Sequence, residues 1–324
     1  MFGALTKKLC PIGVDLGSSY LRMAQLGVNG KGLYLHAVGC EKKPDEIESG
    51  SADWQRWAAK CARKLAKQCE FKGKRLITAL PSQDVFIDEI RMPRMSEEKM
   101  GDAVKTKVRQ RLPFDASEAM VKHVTADLGG SKNGEVEVLV MAAARLKVDR
   151  HLAIYEKAGL EVQGISVWPF AMSNSFVDFF SRRRDEQDKV AMLMDVATAN
   201  TNIVICRNRD LLFARVIPMG FIHFADGESI SRLISEIDAC TRYFESTCVG
   251  TRIERLVFLS GQHSEPQLCE KLAEMARRMQ IPAQIGDVLG AVELRSGCES
   301  FVERRESGID WSIAFGLSLS GLDR

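Results

Sequence analysis

Two aspartates, Asp15 and Asp195, have matching surroundings at widely separated points of the sequence. Each ends a short apolar run, residues 12–15 and residues 192–195, and each is followed by small polar residues. A carboxylate at the end of a strand can hold a hydrated cation, while backbone amides of the following loop surround phosphate oxygens. Two such loops that face each other could bind a triphosphate from both sides.

The same residue types also have a purely structural explanation. The sequence Asp-x-Gly-Ser at residues 15–18 occurs in ordinary tight turns, because these small residues satisfy turn geometry and hydrogen bond to the local backbone. Two interpretations are therefore open. The loops either bind phosphate, or they are acid-ended strands and turns that hold the protein together.

A repeat relates the elements around the two acids. After the first acid the pattern predicts a strand over residues 21–26, a turn, and a second strand over residues 33–38. A shift of 180 positions reproduces this unit after the second acid and also superposes residues 75–81 on residues 255–261. Apolar stripes at helical spacing precede both later strands, and Ser51 is placed to cap the first helix. We expect two mixed sheets flanked by helices, with a cleft between two lobes.

Composition argues against several classes of function. The 324 residues include 45 basic and 43 acidic ones, and the formal charge of +2 gives no support to nucleic-acid binding. Nine scattered cysteines contain no CxxC pair, and five histidines lack metal-ligand spacing, so neither a disulfide framework nor a metal centre is predicted from them. No apolar run approaches the ~20 residues of a membrane span. Reduced thiols without a signal peptide indicate a cytoplasmic protein.

Six segments carry a family resemblance: MFGALTKKLCPIGVDLGSSYLRMAQL, ALPSQDVFIDEIRMPRMSEEKM, VRQRLPFD, EVEVLVMAAARLKVDRHLAIYEKAGLEVQGI, WPFAMSNSF and AFGLSLSGL. In this order they resemble the PilM family of type IV pilus assembly proteins over nearly the whole chain. The resemblance implies an α/β fold that is actin-like (ribonuclease H-like and duplicated), with two lobes and an inserted small α+β subdomain. The expected units are a first lobe (1–83), the insert (84–165), an interlobe helix and linker (166–188), and a shortened second lobe (189–324).

The resemblance implies a cytoplasmic scaffold of a type IV pilus, or of a related type II secretion system. It would belong to the inner-membrane assembly platform and associate with the membrane through its partners. The first lobe and the insert are expected to form a groove for the cytoplasmic N-terminal peptide of a PilN-like membrane protein. Other platform proteins are expected partners, and nucleic acid is not. The basic face of the insert helix over residues 97–112 could meet solvent, an acidic partner or anionic lipid.

A nucleotide site is the second implication of the resemblance, with Mg-ATP as the cofactor and with Asp15 and Asp195 as metal ligands if it binds. The residues that match the nucleotide-binding pattern are Asp15, Gly17, Ser18, Ser19, Asp195, Thr198, Asn200, Thr201, Gly261 and Gly316. In this alternative, the protein is an ATPase whose nucleotide state regulates partner binding.

Departures from the ATPase pattern favour the scaffold. Ala197 occupies a glycine position of the second loop, where a methyl group restricts positive φ and keeps phosphate from the backbone. Trp168 occupies the position of a helper glutamate, and an indole cannot act as a general base. Gln262 and His263 replace the open glycine platform of the adenine-side loop. Only nine residues lie between Gly220 and Ile230, which are too few for a nucleotide-covering subdomain. We therefore predict no catalytic residue.

Overall fold

The computed structural model describes residues 8–126, 134–181, 184–224, 227–248, 250–259, 266–294 and 309–322. The strands are β1 (Lys8–Leu16), β2 (Tyr20–Asn29), β3 (Gly32–Lys42), β4 (Arg75–Ala79), β5 (Phe86–Pro93), β6 (Ala119–Ala126), β7 (Glu135–Ala144), β8 (Glu161–Ser166), β9 (Val190–Val196), β10 (Thr201–Arg207), β11 (Asp210–Ile217), β12 (Arg255–Phe258), β13 (Ala283–Ile285) and β14 (Glu293–Leu294). The helices are α1 (Ala52–Gln68), α2 (Glu97–Val108), α3 (Arg145–Ala158), α4 (Trp168–Phe180), α5 (Arg184–Gln187), α6 (Gly227–Thr247), α7 (Pro266–Met279) and α8 (Ser312–Leu319). Three sheets form, in the orders β14-β3-β2-β1-β4-β8, β11-β10-β9-β12-β13 and β5-β7-β6.

The first sheet is built on an antiparallel meander of β1, β2 and β3, to which β4 adds in parallel to β1. Asn29 Oδ1 accepts hydrogen bonds from the backbone N–H groups of Lys31 and Gly32, which closes the turn between β2 and β3. Ser51 Oγ accepts from the N–H of Trp54, so the predicted cap of α1 is confirmed. Helices α1 and α3 cover one face of this sheet, and α8 covers the other.

The second sheet repeats the first in the same register. Ile12 pairs with Leu76 between β1 and β4, and Met192 pairs with Leu256 between β9 and β12, which is the same pairing shifted by 180 positions. Helices α6 and α7 cover one face of the sheet and α4 the other. The duplicated two-lobed fold predicted from the sequence is confirmed.

Two helices lie between the sheets, α4 against the second and α8 against the first. They cross where Gly316 of α8 meets Ala171 of α4. A Cβ atom at residue 316 would lie only 1.8 Å from the backbone oxygen of Ala171. Glycine is therefore required here for close helix packing.

The inserted unit is smaller than predicted. Its three strands and α2 share a core of their own, in which Val104, Val108 and Val138 are fully buried. Strand β8, however, pairs with β4 of the first sheet. Helix α3 also joins that sheet, because His151 and Tyr155 hydrogen bond with Thr78 of β4, each at 2.9 Å. The insert therefore ends at residue 144 and not at residue 165.

The C-terminal part of the chain returns to the first lobe. Strand β14 pairs with β3, and Ser318 of α8 donates a hydrogen bond to the backbone oxygen of Pro11. The predicted second lobe, residues 189–324, thus contributes its last elements to the first lobe. Within the described ranges, no helix has the length and hydrophobicity needed to cross a membrane.

Candidate functional site

The first predicted loop carries an ion pair. Asp15 near the end of β1 faces Arg22 of β2 directly across the strand pair, and Arg22 Nη1 donates to Asp15 Oδ2 at 2.8 Å. Both side chains are mostly buried, at 16% and 13% exposure for Arg22 and Asp15. Burial raises the pKa of the Asp15 carboxyl, and the adjacent guanidinium opposes that shift. The ring of Tyr20 lies 5.1 Å from the Arg22 guanidinium carbon and adds a cation–π contact.

The second loop repeats this geometry with a neutral partner. Asp195 faces Asn202 across β9 and β10, and Asn202 Nδ2 donates to Asp195 Oδ2 at 3.0 Å. Asn202 is the residue 180 positions after Arg22, so the two carboxylates have equivalent partners of different charge. The duplication thus preserves the hydrogen bond and not the charge.

The turns after the two acids also correspond. The N–H of Gly17 donates to Tyr20 O at 2.9 Å, and the N–H of Ala197 donates to Asn200 O at 2.8 Å. Gly17 does not have a positive φ, and a Cβ atom there would meet only ordinary contacts at 3.6 Å. The expectation that position 197 needs a glycine for positive φ is therefore wrong, since the equivalent turn does not require that conformation. The second reason, that the methyl group keeps phosphate from the backbone, stays a prediction.

The second loop is covered by the chain segment that follows β11. The N–H groups of Phe221 and Ile222 donate to the backbone oxygens of Ala197 and Thr198. A Cβ atom at Gly220 would lie 2.3 Å from Ala197 O, so this contact also depends on glycine. A short 3₁₀ turn, Phe221–His223, then leads almost directly into α6. The short connection predicted between β11 and α6 is present in the structure.

A third acid, Asp310, joins the cleft from the segment before α8. Its two carboxylate oxygens accept from the N–H and the hydroxyl of Ser312, at 2.8 and 2.6 Å. Burial and the nearby charge of Asp195 raise the pKa of Asp310 to about 8. Burial lowers the pKa of Arg22, but the nearby carboxylates of Asp15, Asp310 and Asp195 outweigh it and hold this pKa above the usual value.

The cleft between the two loops is narrow. Its walls include residues of both loops, Leu80–Gln83 after β4, and Trp168 at the start of α4. Trp168 is 1% exposed, and its indole N–H has no hydrogen-bond partner among the described residues. The cavity measures about 100 Å³, whereas pockets for small molecules usually occupy roughly 300–1,000 Å³. In this conformation the cleft is smaller than a usual small-molecule pocket.

The structure brings most of the predicted site residues together. Those that line the cleft are Asp15, Gly17, Ser18, Ser19, Asp195, Thr198 and Asn200. Thr201 is fully buried beside it and donates to Met219 O. Gly316 lies at the helix crossing instead, and Gly261 lies outside the described residues. Sequence reasoning missed Arg22, Asn202 and Asp310, although the spacing of seven residues after each strand-end acid was visible.

Both acids predicted as metal ligands are hydrogen bonded within the protein. Asp15, a predicted metal ligand, is held by Arg22, and Asp195, the other, is held by Asn202. Across the described part of the chain, no group of three or more His, Cys, Asp or Glu residues is arranged to hold a metal ion. To bind here, a triphosphate would have to separate these hydrogen-bonded pairs and enlarge a cavity of about 100 Å³.

A second concave surface lies where the insert meets the lobes. This groove, of about 700 Å³, is lined by the start of β5, the loop after α2, the start of α3 and part of β11. Glu89 of β5 accepts a backbone hydrogen bond from Ala214 of β11. Burial and the neighbouring Asp88 raise the pKa of Glu89 to about 7, while Arg215 opposes the shift. The insert is thus attached to the second lobe as well as to the first.

The duplicated sheets, crossed central helices and paired cleft define an actin-like two-lobed protein with an inserted subdomain. A family model for the type IV pilus assembly protein PilM matches residues 13–226. This chain belongs to that family.

Solved structures give the same fold. One chain of a "PilM-PilN type IV pilus biogenesis complex" superposes with a TM-score of 0.76 at 20% identity, over 97% of this chain and 99% of that one. The ethanolamine utilization protein EutJ from Carboxydothermus hydrogenoformans is similar at a TM-score of 0.50 and 11% identity, over 98% and 91% of the two chains. The actin-like fold inferred from the sequence is confirmed.

Proposed function

We propose that this protein is a scaffold of the type IV pilus assembly platform and binds the cytoplasmic N-terminal peptide of a PilN-like membrane protein. Membership of the PilM family and the similarity to a chain solved as a PilM–PilN complex support this function. The observation that carries the proposal is the groove beside the insert, which is larger than the cleft. Other platform proteins would assemble around the same chain.

The groove suits an extended, partly apolar peptide. Phe86, Phe114 and Val216 provide apolar lining. Two of its acids are paired within the protein, since Lys147 Nζ lies 2.9 Å from Asp84 and Arg111 Nη1 lies 2.8 Å from Asp88. The lining therefore offers apolar contacts without a large unpaired charge.

The strands beside the groove are both sheet edges. Strand β5 ends the three-stranded sheet and β11 ends the five-stranded sheet, and the two lie next to each other. Edge strands have backbone groups without a strand partner, and these can pair with an extended peptide. The peptide would then contact both the insert and the second lobe.

Binding of the peptide does not require nucleotide in this proposal. The test is calorimetric titration of the N-terminal cytoplasmic peptide of the PilN-like protein from the same genome, without ATP. Phe114→Ala should weaken binding by about 2 kcal/mol, roughly 30-fold, because it removes an aromatic contact from the groove. Ile285→Ala is the matched control, because Ile285 is 56% exposed on β13 and is absent from the groove lining.

Two results would contradict the proposal. One is the absence of saturable binding to the unmodified protein. The other is an equal effect of Phe114→Ala and Ile285→Ala, which would place the peptide elsewhere. Hydrogen exchange gives an independent readout, since bound peptide should protect the amides of residues 83–89.

A further inference from the structure

The outer face of α1 is strongly basic. The apolar side of this helix, with Trp54, Ala58 and Leu65, is buried against the first sheet. The exposed basic residues of α1 are Arg56, Lys60, Arg63, Lys64 and Lys67. Their spacings of three and four residues place them along one side of the helix. This face therefore points away from the lobe.

The charge of this region contrasts with that of the whole chain. Residues 52–75 contain eight basic and two acidic residues, a net charge of +6, while the full sequence has +2. Lys72, Lys74 and Arg75 continue the exposed basic surface beyond the helix. Arg63 donates to the backbone oxygen of Lys157, which places the end of α3 beside α1. The end of α3 therefore borders the basic surface.

Several of these charges have no ion-pair partner in the part of the chain that the structure describes. Ion pairs link Arg56 to Asp53 and Lys64 to Glu41. Among the described residues, Lys60, Lys67 and Lys74 take part in no ion pair. Their ammonium groups are available to an external anionic surface.

The surface lacks the features of a protein-binding site. The large apolar side chains that are exposed in the described ranges are Met120, Leu146, Ile222, Tyr243 and Ile285, and none of them is on α1. Stable protein interfaces usually contain buried aromatic or aliphatic anchors. Long flexible lysines spread over one helix face are better suited to a diffuse layer of negative headgroups.

We propose that the α1 face binds the headgroups of anionic phospholipids. The proposal relies on the proposed function only for location, since the PilN-like partner would hold the protein near the inner membrane. Each lysine near an anionic bilayer adds a modest attraction, and several together give an appreciable one. The face would turn the first lobe toward the membrane.

The test is sedimentation of the full chain with vesicles of equimolar phosphatidylcholine and phosphatidylglycerol, compared with phosphatidylcholine alone. Binding should require the anionic lipid and should weaken as ionic strength rises. The triple variant Lys60→Gln/Lys67→Gln/Lys74→Gln should reduce binding at least about tenfold. The matched control is Arg232→Gln/Arg242→Gln/Arg277→Gln, which removes three exposed charges from α6 and α7 of the second lobe and should leave binding unchanged.

Several outcomes would overturn the proposal. They are equal binding to both vesicles, binding that is insensitive to salt, and equal losses in the two triple variants. A double-stranded oligonucleotide serves as a competitor. If it releases the protein from the vesicles at a concentration lower than that of the lipid, the α1 face is a nucleic-acid surface instead. The peptide titration separates the two proposals, because the α1 variant should bind the peptide like the unmodified protein.

Discussion

Arg22 Nη1 lies 2.8 Å from Asp15 Oδ2, and the two residues face each other directly across β1 and β2. The Arg22 guanidinium therefore supplies a positive charge beside Asp15, where the sequence predicts a metal ion. The equivalent position in the second lobe is Asn202, which hydrogen bonds to Asp195 without supplying charge. The cleft consequently balances three acids against the single basic side chain among its described lining residues.

Removal of Arg22 should destabilise the protein. Arg22→Met leaves the Asp15 carboxylate mostly buried without its partner, and breaking such a pair costs about 3 kcal/mol or more. Chemical denaturation followed by circular dichroism measures the loss. Asp15→Asn/Arg22→Met should recover much of the stability, because the charge and its counter-charge are both removed. If the single and double variants were equally unstable, the ion pair would not be the cause.

Mg-ATP should not bind saturably at millimolar concentration. The reasons are the pairing of Asp15 with Arg22 and the cavity of about 100 Å³. Isothermal titration calorimetry is the measurement, with ATP in the absence of Mg²⁺ as the control. Saturable binding that disappears on Asp15→Ala would instead support the nucleotide-regulated alternative.

The stability of the protein should fall as pH rises toward 8, in part because of Asp310. Its pKa is about 8 in the folded protein, against an ordinary value of 3.8, since burial and Asp195 oppose ionisation while Ser312 and Arg22 favour it. The contribution of this carboxyl is complete below pH 3.8 and disappears as pH rises through about 8. Asp310→Asn should flatten the pH profile of the melting temperature between about pH 4 and pH 8. An unchanged profile would show that Asp310 does not titrate there.

Two glycine substitutions in helices should act in opposite directions. Gly316→Ala introduces a Cβ atom 1.8 Å from Ala171 O, a backbone clash that should cost about 3 kcal/mol. Gly101→Ala in α2 meets only His123 Cε1 at 3.8 Å and should stabilise the protein by up to about 1 kcal/mol through helix propensity. Thermal denaturation compares the variants. A stabilising Gly316→Ala would refute the close helix crossing.

The insert should be removable at its structural boundary. Phe86 pairs with Ala142 between β5 and β7, so a short linker can replace residues 86–144. The shortened protein should retain cooperative unfolding, at a lower melting temperature because apolar contacts with the lobes are lost. Deletion of residues 84–165 should abolish cooperative unfolding, since it also removes α3 and most of β8. Equal behaviour of both deletions would argue against this boundary.

Local sequence patterns predicted the repeated part of the fold well. An apolar run, an acid and a turn are short-range signals, and they recur at one offset in both halves. The hairpin also fixed the position of Arg22, because turn length sets which residues face each other across two strands. Combining the predicted hairpin with its register would have revealed the ion pair.

Non-local pairing was the part that the sequence could not supply. Strand β8 joins β4, and β14 joins β3, through contacts that no nearby residue specifies. Asp310 reaches the cleft in the same way. Its Asp-x-Ser segment is an ordinary turn signal, and only the fold places it near Asp195.

The contact between Gly316 and Ala171 limits how the two lobes can be arranged. Helix α8 belongs to one lobe and α4 packs on the other, so their crossing joins the two lobes. Separation of the lobes at this crossing would break the helix packing. Any rearrangement of the lobes that keeps this packing must therefore leave the distance at the crossing unchanged.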